Sequence, residues 1–229
     1  MGSILTIASG KGGCAKTTTT KVLAASMAAA GYRVAVVDAD RNQSFASWVK
    51  EAYEGPAFTT CSEVDHVRVV DVAGELADAH DIVLVDTAGF ENLTAASAIG
   101  MADHVLIPCM PDRDNIREAL RTAQQVTSLS KAARRAIPYS VLPTRWKANG
   151  LVERATLENL QAEKLPVLDH ALADLTDFIK LSFSGSVPLR GKVAQQVSAL
   201  IAELAGKGAI PPMPNSPDSP DSGKEGAAA

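Results

Sequence analysis

A chain of 229 residues, 46% apolar and 21% charged, has the size and composition of a soluble globular protein with one well-buried core. Its net charge of −4 excludes a global field that attracts nucleic acid, so any such binding has to come from a local patch. The three cysteines (Cys14, Cys61, Cys109) are odd in number and lack zinc-ligand spacing, which favours a reducing cytosol over a disulfide framework or a side-chain metal centre. The N-terminus enters a strand within a few residues, leaving no room for a signal peptide, and no apolar run approaches the length of a membrane span. A cytoplasmic protein is expected.

In chain order, Ile4–Ala8 is a short β-branched run, followed by the glycine-rich stretch Ser9-Gly10-Lys11-Gly12-Gly13-Cys14-Ala15-Lys16-Thr17-Thr18. Thr17 to Ala30 is then helix-forming. Strand, glycine loop and helix together are the setting of a phosphate-binding loop, in which converging backbone N–H groups and the helix dipole favour an anion. Lys16 is placed to neutralise β- and γ-phosphate oxygens, and the Thr17 hydroxyl to ligate Mg²⁺. Ala15 stands where the general pattern has a glycine. If that position requires φ > 0, its methyl group costs roughly 1 kcal/mol of strain.

Further strands are expected at Arg33–Val37, Ile82–Val85, His104–Pro108 and Tyr139–Leu142. Helices are expected at about 44–54, 93–101, 115–131, 151–163 and 192–205. Residues 63–79 fit either a strand or a helix face. Continuous apolar strands separated by helices signify an α/β fold with a mostly parallel sheet covered on both faces, which binds ligands at the strands' carboxyl ends. Residues 1–205 are expected to form this single domain. From Gly206 to Ala229, with five of the twelve prolines, a disordered tail is expected.

Asp86 ends one strand and has the form of the acidic residue that holds Mg²⁺ beside a phosphate loop, or of a cap for the next helix. Asp38 and Asp40 end another strand, two residues apart and so on one face. One carboxylate near the metal and one near the γ-phosphate would suit a site that orients a water for in-line attack.

These residues resemble the ParA/MinD ATPases, P-loop NTPases with a deviant Walker A loop of pattern K-G-G-x-x-K-[ST]-[ST]. Asp38-Ala39-Asp40 with Arg41-Asn42-Gln43 is similar to that family's D-x-D-P-Q segment, and Asp86-Thr87-Ala88-Gly89 to its D-x-[PA]-G. Ala102–Pro108 with Pro111 resembles the proline-containing segment bordering the adenine, and Leu142-Pro143-Thr144-Arg145 a further base-contacting loop. Size, Trp48 and residues 178–187 are similar to the short, ParF-like partition type.

The resemblance implies an ATPase that binds ATP and Mg²⁺ as a homodimer with two nucleotides sandwiched at the interface. Lys11 would then reach the partner's phosphates, Lys16 would hold phosphate in its own subunit, and Asp40 would position the water. Thr17 and Asp86 would serve the metal, and Asp38 its surroundings. Gly10, Gly12, Gly13, Cys14, Ala15, Thr18 and Pro143 complete the implied nucleotide contacts. It also implies slow turnover stimulated by a ParB-type adaptor, ATP-dependent binding to non-specific DNA at the nucleoid, and no membrane contact. Arg41, Asn42 and Asn115 depart from the family pattern and bear on hydrolysis rate and partner response.

Between Arg113 and Arg154 nine basic residues (113, 117, 121, 131, 134, 135, 145, 147, 154) face three acidic ones (114, 118, 153). Such a cluster suits salt-sensitive duplex binding or is an ordinary solvated face, and only the fold can say whether it is one surface. The function expected is partition of a plasmid, chromosome region or other cargo. The alternatives are an accessory ATPase of conjugative or T-DNA transfer, or a MinD-like membrane-positioning switch. The last would need a basic amphipathic C-terminal helix, where this chain is rich in Pro, Ser and Asp. A nitrogenase-iron-protein relative would need a cysteine within 86–101, which has none, and a ligase would not need Lys11.

Overall fold

The computed structural model describes residues 1–89, 92–174, 176–188 and 190–214. Its strands are β1 (Ser3–Ile7), β2 (Val34–Ala39), β3 (Thr59–Ser62), β4 (Ile82–Thr87), β5 (His104–Cys109), β6 (Tyr139–Trp146) and β7 (Leu172–Ala173). They form one parallel sheet in the order β3-β2-β4-β1-β5-β6-β7. The helices between them are α1 (Lys16–Ala29), α2 (Ser44–Glu51), α3 (Arg68–Ala79) and α4 (Leu93–Met101). After β5 come α5 (Arg113–Ala133), α6 (Leu151–Ala162), α7 (Thr176–Ser184) and α8 (Gly191–Gly206).

The apolar strands are buried on both sides because alternate residues serve opposite layers. Val34, Val36, Ile82, Leu84 and Leu106 pack with α1 and α8 residues in one cluster. Ala35, Val37, Val83 and Val85 meet α3, while Val105 and Ile107 meet α5. The sheet is therefore covered on both faces, as expected. Each of α1 to α6 returns the chain to start the next parallel strand, so the carboxyl ends of β1, β2, β4, β5 and β6 share one edge.

Three differences from the sequence reading have local causes. The ambiguous 63–79 segment resolves into a loop and α3, which buries Val69, Ala73 and Ala77 at four-residue spacing and leaves Val67 exposed. β6 runs on to Trp146 and absorbs Pro143, which the sequence placed in a loop. Val141 donates its N–H to Pro166, but β7 pairs only from Thr144, so the proline has no ladder bond to break on that side. The packed chain also outlasts residue 205. Gly208, at φ +69°, turns it after α8, Ala209 and Ile210 are buried, and the Pro211 carbonyl accepts the Tyr32 hydroxyl at 3.0 Å. The domain thus continues through Pro211, and the part of the expected tail from 215 onward lies outside the described residues.

Candidate nucleotide site

The loop from Ala8 to Ala15 links β1 to α1 at the sheet's carboxyl edge. Gly13 has φ +78° and Ala15 φ +76°, so Ala15 does adopt the left-handed conformation that a glycine would take without strain. Neighbouring strands pin the loop. Thr144 Oγ1 donates to the Cys14 carbonyl at 3.3 Å, and Thr87 Oγ1 to that of Ile7 at 2.8 Å. Gly89 lies so close to Gly12 that a β-carbon there would sit 3.3 Å from the Gly12 nitrogen.

Lys16 is buried, and its ammonium donates to the Lys11 carbonyl at 2.9 Å, inside the bowl of the loop. The Lys11 side chain leaves the bowl, its Nζ 3.6 Å from Asp112 Oδ1. Asp112 also caps α5, accepting from the Asn115 backbone N–H at 2.8 Å and side-chain amide at 2.6 Å. Burial pushes the Asp112 carboxyl up, but the Asn115 bonds and the Lys11 ammonium outweigh it and hold it below the usual carboxylate range.

A cavity of about 520 Å³ opens beside the loop. Gly12, Gly13, Ala15, Lys16, Thr17, Thr18 and Asp40 line it, all expected from sequence. Gly10 instead donates to Thr122 Oγ1 at 3.4 Å, and Cys14 is buried with its thiol on the Lys11 carbonyl. Pro143 is buried in β6 opposite Cys109, and the wall there is made by Thr144 and Arg145. At the far end stand Leu172 and Ala173 from β7, Asp174 just after it, and Phe178 from α7. Sequence reasoning misses this end, because a two-residue strand has no periodicity to read; only Phe178 falls in a segment singled out from the sequence.

The aspartates divide their work. Asp38 and Asp86 are register partners on β2 and β4. Asp38 Oδ1 accepts from Asp40 N at 3.1 Å and Oδ2 from Phe45 N and Ala46 N at 3.0 and 2.9 Å. Both oxygens are therefore taken by backbone. Asp38 caps α2 and shapes the turn that carries Asp40. Asp40 Oδ1 accepts from Asn42 N at 2.9 Å, a local turn that leaves Asp40 on the cavity wall.

Asp86 is fully buried. Its Oδ1 accepts from Thr20 Oγ1 at 3.2 Å, and its Oδ2 has no hydrogen-bond partner among the described residues. Burial pushes its carboxyl up to about 7, reinforced by Asp38 and opposed by the Thr17 and Thr20 hydroxyls and the Lys16 ammonium. A buried carboxylate oxygen without a donor, next to a threonine hydroxyl, is a donor set that fits a small hard cation.

A parallel sheet whose first strand feeds a two-lysine phosphate loop, flanked by an aspartate-ended neighbour, defines a ParA/MinD-type P-loop ATPase. Within that class the chain belongs to the VirC1 family, whose model, described as VirC1 protein, matches residues 2–209. Protein virC1 of Rhizobium radiobacter is 31% identical over 191 residues, covering 81% of this chain and 83% of that protein. Protein ParA of Rhizobium radiobacter is 29% identical over 141 residues, covering 62% and 64%. Among solved structures the fold is shared with the ATP complex of a McdA variant from Cyanothece, at TM-score 0.76 and 16% identity over 90% of this chain and 96% of that one. No described helix is long and apolar enough to cross a membrane.

Proposed function

We propose that this chain is a partition-type ATPase that binds ATP with Mg²⁺, pairs with a second copy across the nucleotides, and in that state holds non-specific DNA. One observation carries the reading: two lysines on one phosphate loop point to different places, Lys16 into the bowl and Lys11 out of it. A lysine directed away from its own bowl suits a triphosphate held by the opposite chain.

In this account the N–H groups of the loop and the start of α1 bind the phosphates, and Lys16 exchanges the Lys11 carbonyl for β- and γ-phosphate oxygens. Thr17 and Asp86 would hold the metal, which when bound neutralises charge on those oxygens. Asp40, on the cavity wall, orients the attacking water. A water O–P bond then forms as the bond to the bridging oxygen breaks, giving ADP and phosphate. Lys11 from the opposite chain stabilises the developing charge as an arginine finger does.

A second reading, an accessory ATPase of conjugative or T-DNA transfer, keeps the same chemistry with a different DNA cargo. The VirC1 family match over residues 2–209 favours it. An adaptor of ParB type and nucleoid association belong to either reading. The test is nucleotide binding by calorimetry: Lys16→Ala should lose ATP, and tight binding by that variant would reject the phosphate-loop assignment.

A further inference from the structure

The basic segment 113–154 is not one surface. α5 runs antiparallel to the strands, so its start lies at the nucleotide edge and its end, with Lys131, Arg134 and Arg135, at the opposite edge. At the far end the Arg135 guanidinium donates to the Gly100 and Ala102 carbonyls, tying down the end of α4. On the first turns two acids meet two arginines, and they differ in kind. Asp114, 3.6 Å from Arg117, has a side chain 71% exposed, an ordinary solvated pair. Glu118, 3.8 Å from Arg121, has a side chain only 11% exposed.

A carboxylate withdrawn from water is costly unless hydrogen bonds replace the water. Glu118 has none at its carboxylate among the described residues. The Thr122 hydroxyl, 2.8 Å away, donates to the Glu118 backbone carbonyl instead. Glu118 lines a cavity of about 460 Å³ between α4 and α5. Ser9 and Gly10, where the phosphate loop begins, and Thr87, at the end of β4, also line it. Ala95 and Ile99 of α4 add an apolar wall, and Gln124 and Gln125 of α5 add amides. Arg121 is the one cation among the described residues that line it. Its side chain is 67% exposed and too far from Glu118 to hydrogen-bond. No residue lines both this cavity and the nucleotide cavity, so the two can be filled together.

We infer that this cavity takes the side chain of an arginine on a partner polypeptide, with Glu118 as the carboxylate that receives it. A guanidinium carries five N–H donors in a planar fork that matches a carboxylate. Its methylene stem suits the wall of Ala95 and Ile99. Thr87 Oγ1, which donates to the Ile7 carbonyl, keeps lone pairs for a further donor. Gln124 and Gln125 each offer a donor and an acceptor, the pairing that a peptide backbone needs. Arg121 gives way to solvent as the newcomer enters. A guanidinium held there touches the start of the phosphate loop and the residue after Asp86 at once.

The experiment is an NMR titration of the ¹⁵N-labelled, nucleotide-free full chain, so its outcome does not depend on ATP binding. The probe is the peptide acetyl-Gly-Ser-Arg-Ser-Gly-amide, compared with versions carrying lysine or citrulline for arginine and with free arginine. Citrulline keeps the shape and loses the charge. The arginine peptide should shift the Gly10, Gln124 and Gln125 amides saturably. The citrulline peptide should bind at least about tenfold more weakly, as should the arginine peptide to Glu118→Gln. Lysine peptide and free arginine should both bind more weakly than the arginine peptide, and Asp114→Asn should leave its affinity unchanged. If Glu118→Gln does not fold, the citrulline peptide on unaltered protein decides the matter. No saturable shift at about 10 mM arginine peptide, tenfold above a millimolar Kd, would overturn the site. So would a lysine or citrulline peptide that binds as tightly, or an equal loss in Asp114→Asn. Free arginine that matches the peptide would overturn the polypeptide as its source.

Discussion

The Lys11 ammonium lies 3.6 Å from the carboxylate of Asp112, on the loop that starts α5 of the same chain. To serve a triphosphate held by another copy, Lys11 has to leave that carboxylate. The two side chains are 36% and 45% exposed, so the pair holds the lysine by no more than about 1 kcal/mol. Asp112→Asn keeps an acceptor for the Asn115 N–H while removing the charge. Analogue-dependent pairing, followed by sedimentation at low salt, should then tighten by up to about fivefold for each of the two chains, about thirtyfold in all. Unchanged pairing would mean that Asp112 does not restrain Lys11.

Ala15 carries a left-handed backbone at φ +76°. Ala15→Gly removes the clash of its methyl group, worth about 1 kcal/mol, and should raise the melting temperature by about 2–4 °C. A lower melting temperature would show that the strain is relaxed elsewhere in the loop.

Asp86 sets a pH dependence whose sign is opposite to that of most carboxylates. Its folded-state pKa of about 7 lies above the ordinary 3.8, so the folded chain keeps a proton that the unfolded chain loses. The stability this gives is complete below about pH 4 and lost as pH rises through 7. In nucleotide-free protein, Asp86→Asn should match wild type near pH 4 and melt higher at pH 8, by at most on the order of 4 kcal/mol. Buried His104, pushed down to about 4, works in the opposite sense over pH 4–6.5, but it is common to both proteins and cancels. A pH-independent difference would contradict the burial argument.

The far end of the nucleotide cavity is tied to the turn that carries Asp40. Trp48 Nε1 on α2 donates to the Leu181 carbonyl on α7 at 2.9 Å, and Glu54 N to that of Gly185 at 3.1 Å. Gly185 has φ +63°, and a β-carbon there would collide with the Ala52 carbonyl. Gly185→Ala should therefore cost about 2 kcal/mol or more in denaturant unfolding and weaken nucleotide binding as α7 is pushed off α2. Weaker folding with intact nucleotide affinity would mean that α7 does not shape the site.

Much of this was legible in the sequence because its signals were local. The runs Val34–Val37, Ile82–Val85 and Val105–Ile107 could only be doubly covered strands, and the glycine loop with Lys16 and Thr17 fixed the site between β1 and α1. The left-handed Ala15 followed from its place in the motif. What stayed hidden depended on distant partners. β3, reading Thr-Thr-Cys-Ser, is an edge strand without an apolar run, and β7 is two residues long. Nothing local to Asp38 reveals that it accepts from the N–H groups of Phe45 and Ala46. Whether the basic segment is one patch was not legible either, because the reversal of α5 between two sheet edges is a property of topology, not of spacing.

The central claim is that Lys11 joins nucleotide binding to pairing of two chains. Sedimentation velocity at saturating Mg²⁺ and non-hydrolysable ATP analogue, on wild type and Lys11→Ala, tests it most directly. Wild type should sediment as a dimer and Lys11→Ala as a monomer that still binds the analogue. A wild type that remains monomeric when saturated, or a Lys11→Ala protein that pairs as tightly, would contradict it.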